Sequence, residues 1–103
     1  MSEKLIKWDI YEIRTETTLI NGVMLRGRIR KLCLDNDRNV LVENTEDIEN
    51  SVRFAIPTGE DSIEIEKYVL SVAPDANIKQ VMEAVPNPVL SKLKVNSEER
   101  YTL

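Results

Sequence analysis

The chain has 103 residues, 42% hydrophobic and 31% charged, with a formal net charge of −4 and no histidine. That length and balance fit a single domain over residues 1–103 with a thin core, and the acidic charge disfavours indiscriminate nucleic-acid binding, which needs a basic face. No window approaches the length of a membrane span and the first residues lack the apolar core of a signal peptide, so a cytoplasmic protein with no membrane contact is expected.

Residues 1–9 are expected to be loose. From Tyr11 to Leu19 the chain alternates, with Tyr11, Ile13, Thr15, Thr17 and Leu19 on one face and charged residues on the other, which predicts a strand. Asn21-Gly22 breaks it with residues that tolerate positive φ.

The next stretch supports two readings. Leu25, Ile29 and Leu32 fit one helical face, yet Leu25, Gly27 and Ile29 also alternate with Arg26, Arg28 and Arg30 as in a strand. Gly27 weakens a helix by roughly 1 kcal/mol relative to alanine. Cys33, the only cysteine, lies between Leu32 and Leu34 and reads as a small buried hydrophobe rather than a thiolate, which would need an activating base or cation. Arg26, Arg28, Arg30 and Lys31 form the one dense basic patch in the sequence.

Asn36-Asp37 predicts a turn, residues 39–43 a strand, and residues 45–50 a polar loop. Val52, Phe54 and Ile56 alternate as a further strand, ended by Pro57-Thr58-Gly59. Asp61, with Glu64 three residues on, has the pattern of a capping box. The helix it opens carries Ile65, Tyr68, Val69 and Val72 as an apolar stripe and stops at Pro74. Residues 78–85 predict a strand, Pro86 and Pro88 an extended connector, residues 90–95 a short last strand, and residues 96–103 a loose polar tail. With residues 25–35 helical, the order is βαββαβ plus a C-terminal strand. That is an α+β, ferredoxin-like split βαβ sandwich with two helices on one face of an antiparallel sheet.

A glycine-bearing loop ending in Arg26, followed by a strand ending in Asn44-Thr45, resembles the acylphosphatase family. That family's loop reads Gly-x-Val-Gln-Gly-Val-x-Phe-Arg, and its strand ends in an asparagine at the same separation from the arginine. Ile20, Gly22, Val23 and Arg26 match the loop, with Leu25 standing for phenylalanine. Gly59, the run from Pro74 to Val81 and the segment from Leu90 to Val95 suit the family's second half. The family's first loop glycine is Thr18 here, and its glutamine is Asn21.

The resemblance implies hydrolysis of a carboxyl–phosphate anhydride without metal or cofactor. Backbone amides of Asn21, Gly22, Val23, Met24 and Leu25 would bind the phosphate with Arg26, and Asn44 would hold the attacking water. The implied partner is a small acyl phosphate or inorganic phosphate, bound by a monomer.

Two other readings carry weight. Residues 19–27, with Asp35 and Asn39, also resemble the first motif of Sm-like proteins, which would make residues 23–33 a strand in a ring that binds single-stranded RNA. A ferredoxin-like domain could also bind an anion or a protein without catalysis.

Overall fold

In the computed structural model, residues 6–16, 24–46, 50–86, 88–90 and 94–95 are described. The elements in order are β1 (Lys7–Arg14), α1 (Leu25–Asp35), β2 (Leu41–Asn44), β3 (Ser51–Pro57), α2 (Ile63–Val72), β4 (Asn77–Pro86), β5 (Pro88–Val89) and β6 (Lys94–Val95). Strands β1 to β4 form an open antiparallel sheet in the order β2-β3-β1-β4. This α+β arrangement is compatible with the ferredoxin-like order expected from the sequence.

Strand alternation sorts the side chains onto two faces. On the first, Ile13, Val42, Val52, Phe54 and Ile56 pack with Leu25, Ile29 and Cys33 of α1 and Ile65 and Val69 of α2. Both helices therefore cover the same face. Tyr11 and Phe54 are cross-strand partners, and their rings stack at 5.0 Å with 11° between planes.

Residues 25–35 are helical, which decides between the two periodicities. Leu25, Ile29 and Cys33 recur every four residues and all are fully buried, with Leu32 half-buried beside them. Burying one such aliphatic side chain contributes about 1.5–3 kcal/mol, which outweighs the roughly 1 kcal/mol that Gly27 costs. The same helix removes the strand that an Sm-like barrel needs over this stretch. The Asn36-Asp37 turn follows, with the N–H groups of Asn36 and Arg38 both donating to the Cys33 carbonyl.

In α2 the expected stripe holds: Ile65 and Val69 are buried, and Tyr68 and Val72 half-buried. The capping box forms only by half. Asp61 Oδ1 accepts from the Ile63 N–H at 2.6 Å, whereas Glu64 turns to Arg38 Nη1 at 3.5 Å. Ser62 is the N-cap residue, and its hydroxyl bonds Glu66 Oε2 at 2.5 Å instead. Ahead of α2, Gly59 at φ 96° closes the turn in which the Glu60 N–H donates to the Pro57 carbonyl at 3.1 Å.

The opposite face departs from the sequence reading. It carries a second core of Trp8, Ile10, Ala55, Val85 and Leu90. Strand β1 therefore begins at Lys7, inside the stretch 1–9 expected to be loose, because Trp8 and Ile10 are buried there. Charged residues expected on a wet face are also enclosed. Arg53 is 1% exposed and Glu12 is 3% exposed, with Arg53 Nε 3.6 Å from Glu12 Oε2. Arg14 Nε donates to Glu12 Oε1 at 2.5 Å, and Arg53 Nη1 donates to the Leu90 carbonyl at 2.9 Å. The segment around Leu90 thus lies over this face. Of the expected last strand over residues 90–95, Leu90 lies in a turn and Lys94 and Val95 pair with Val89 and Pro88 in a sheet of their own, while residues 91–93 lie outside the described residues.

Strand β4 is an edge strand with two register irregularities against β1. Ala84 there adopts φ 52°, and its N–H donates to Asp9 Oδ1 at 3.0 Å. Asp9 is 8% exposed and also accepts from Thr58 Oγ1 at 2.9 Å, so one buried carboxylate fastens β1, β4 and the turn after β3. Such bulges twist an edge away from further strand pairing. Residues 1–5, 17–23, 47–49, 87, 91–93 and 96–103, with the expectations that fall on them, lie outside the described residues.

Candidate functional site

Of the expected phosphate-site residues, Asn21, Gly22 and Val23 lie outside the described residues, while Met24, Leu25, Arg26 and Asn44 can be placed. Met24 is the N-cap of α1, in the left-handed conformation at φ 54° and ψ 43°. Leu25 follows in the helix and is fully buried. A left-handed residue followed by a helical one turns successive N–H groups toward a common side. Burial of Leu25 anchors that first turn to the core.

The first intrahelical bond runs from the Arg28 N–H to the Met24 carbonyl at 3.1 Å. Helix geometry gives the N–H groups before Arg28 no acceptor within the helix. Met24 has no side-chain cap, and the first turn has no acidic residue. It carries Arg26 instead, exposed to solvent. A cation at a helix N-terminus opposes the helix dipole by some tenths of a kcal/mol, and an anion there reverses that term.

Asn44 is the last residue of β2 and is exposed. It pairs with Val52, which sets it on the helix-bearing face. The chain beyond it is pinned at once: the Thr45 N–H and Oγ1 both donate to the Ser51 carbonyl, at 3.1 and 3.3 Å.

Arg30 relates the two elements. Its Nη2 donates to the Val42 carbonyl at 3.2 Å, tying α1 to the outer edge of the sheet. Since β1 and β2 both pair antiparallel with β3, they run parallel, and the connecting helix runs back along the sheet. Arg26 lies one helical turn before Arg30, about 6 Å along the axis. Asn44 lies two residues beyond Val42, about 7 Å along the strand. Arg26 and Asn44 therefore occupy the same end of the sheet. Arg30 was visible in the sequence only as one cation of a basic patch, because its acceptor is a backbone carbonyl twelve residues on.

Charge distinguishes this end from a groove of ≈ 650 Å³ at the start of α2, lined by Arg38, Glu60, Asp61, Ile63, Glu64 and Lys67. There Arg38 is held by Glu60 at 3.6 Å, Glu64 at 3.5 Å and the Asp61 carbonyl at 2.6 Å. The groove's three carboxylates outnumber its two cations, Arg38 and Lys67, and leave it net negative, which disfavours a phosphate. On α1, Lys31 of the dense patch pairs with Asp35 at 3.5 Å.

Cys33 faces the core, and burial pushes its thiol above the usual range, with Arg38 opposing the shift in part. A protonated, enclosed thiol is no nucleophile. Among the described residues no group of three or more His, Cys, Asp or Glu side chains is placed to hold a metal ion. No helix among them is long and apolar enough to cross a membrane. Comparison with protein-family models, with curated proteins and with solved structures finds no match.

Proposed function

We propose that the chain is an acylphosphatase-like hydrolase of small acyl phosphates, built as a ferredoxin-like split βαβ sandwich and acting as a monomer. The observation that carries this reading is the Arg30–Val42 hydrogen bond, which supports a common location for Arg26 and Asn44. The resemblance in the loop and at the strand end supports the roles.

The chemistry suits these side chains. Residues 21–25 supply backbone N–H groups to the phosphate oxygens. Arg26 adds a planar, permanently charged fork that engages two of them. Asn44 holds a water opposite the bridging oxygen through its side-chain amide. As the water oxygen bonds to phosphorus, the P–O bond to the acyl group breaks. The acyl group leaves as a carboxylate, inorganic phosphate remains, and the water proton passes to solvent. A carboxylate is a good leaving group, so positioning and charge stabilisation carry the rate and no strong base is required. The chain's lack of histidine is consistent with that.

A non-catalytic anion-binding domain is the second reading, favoured by Thr18 and Asn21 where the family has glycine and glutamine. Titration of inorganic phosphate into labelled protein, followed by amide chemical shifts, tests the assigned roles. Arg26→Ala is expected to abolish phosphate binding, and Asn44→Ala to leave it intact. Equal weakening in both variants contradicts the division of labour between the two residues.

A further inference from the structure

We propose that Thr15 and Asn50 form a positioning pair that fixes the strand end bearing Asn44; this rests on the acyl phosphate site proposed above. Asn44 ends a four-residue edge strand that pairs on one side only. Strand ends of that kind open readily. A group that holds a water in line must stay within roughly 0.5 Å of its productive position. Something must therefore hold the end of β2 beyond its own ladder.

The holding contacts are on hand. The carbonyl of Ser51 takes both bonds from Thr45, the neighbour of Asn44. Ser51 is 3% exposed, and its hydroxyl donates to the Ile13 carbonyl at 2.8 Å. One residue earlier, Asn50 Nδ2 donates to Thr15 Oγ1 at 2.6 Å and lies 3.5 Å from the Thr15 carbonyl. Asn44 is thus connected through Thr45, Ser51 and Asn50 to the end of β1.

The backbone shows why asparagine serves here. Asn50 has φ 51°, a left-handed conformation that asparagine tolerates better than most side chains. Glycine would also fit the conformation, but it could not reach Thr15. The side chain therefore supplies what the conformation alone does not require.

Because the pair acts on the strand end and not on α1, it governs turnover rather than phosphate binding. The test is steady-state hydrolysis of benzoyl phosphate by the full chain, with product inhibition by inorganic phosphate measured in parallel. Thr15→Val removes the hydroxyl at nearly constant volume. It is expected to lower kcat about tenfold, with KM and the phosphate inhibition constant unchanged. Thr15→Ser keeps the hydroxyl and is expected to restore kcat. Asn50→Gly keeps the left-handed backbone and should reproduce the Thr15→Val loss.

A Thr15→Val kcat within about twofold of the unaltered protein overturns the pair. So does a parallel loss of kcat and phosphate affinity that Thr15→Ser fails to repair, the mark of a merely structural role. No turnover by the unaltered protein is a separate result. It removes the catalytic reading and this inference with it.

Discussion

The Arg30 guanidinium on α1 donates to the Val42 carbonyl on β2 at 3.2 Å, joining a helix to the outer edge of the sheet. This bond fixes how far α1 slides along β2, and so how Arg26 stands relative to Asn44. Arg30→Ala is expected to cost about 1 kcal/mol, since the bond is charge-assisted but partly exposed. It is also expected to lower kcat for benzoyl phosphate. Arg30→Lys should recover the charge without the fork geometry and regain only part of either loss. Urea unfolding and steady-state kinetics on the three proteins check both effects.

Glu12 and Arg53 make a buried pair on the face away from the helices, with side chains 4% and 2% exposed. Glu12→Ala leaves the buried Arg53 charge without this counter-ion and is expected to cost about 3–5 kcal/mol, whereas Arg53→Ala is expected to cost less, because Arg14 still pairs with Glu12. Replacing both by apolar residues of similar volume, as Glu12→Leu with Arg53→Met, is expected to lie within about 1 kcal/mol of the unaltered protein. A double-mutant cycle in urea measures the coupling. Additive losses would show that the two charges do not support one another.

Leu90 covers the same face at 2% exposure, while its carbonyl accepts from Arg53. Leu90→Ala is expected to destabilise by about 2–5 kcal/mol, the range for a large-to-small change in a core. Thermal unfolding checks this. A loss below about 0.5 kcal/mol, the scale of a surface change, would mean that Leu90 is not part of a packed core.

Burial raises the Cys33 thiol above its ordinary value of 9.0. In the folded chain the thiol keeps its proton at pH values where the unfolded chain has lost it. The associated stability is fully present below the unfolded value of 9.0 and is lost as pH climbs from there through the raised folded value. Unfolding free energy should therefore fall above that point, by up to about 1.4 kcal/mol per pH unit, and Cys33→Ala should remove this contribution to the slope. Denaturant titrations across the alkaline range, compared between the two proteins, check the sign.

The helix-bearing face was readable in the sequence because Ile13, Val52, Phe54 and Ile56 alternate, and Ile65 and Val69 repeat at helical spacing. Residues 25–35 were not, since a helix and a strand fit their pattern equally. The packing of Leu25, Ile29 and Cys33 against the sheet decides it. The other face misled for a physical reason. Glu12 and Arg53 alternate with apolar residues as wet-face residues do, but a segment far along the chain covers them. Burial there depends on a non-local contact that local periodicity cannot report.

The candidate site divides the same way. Arg26 and Asn44 stand out only through the resemblance of their loop and strand end to the acylphosphatase pattern. The bonds from Arg30 to Val42 and from Asn50 to Thr15 join residues whose sequence context gives no sign of a partner.

The most direct test of the central claim is hydrolysis of benzoyl phosphate by the purified chain in excess chelator, beside Arg26→Ala. Metal-independent turnover is expected in the unaltered protein, and its loss in the variant. No turnover in either, or equal turnover in both, would contradict the assignment of Arg26 and Asn44 to catalysis.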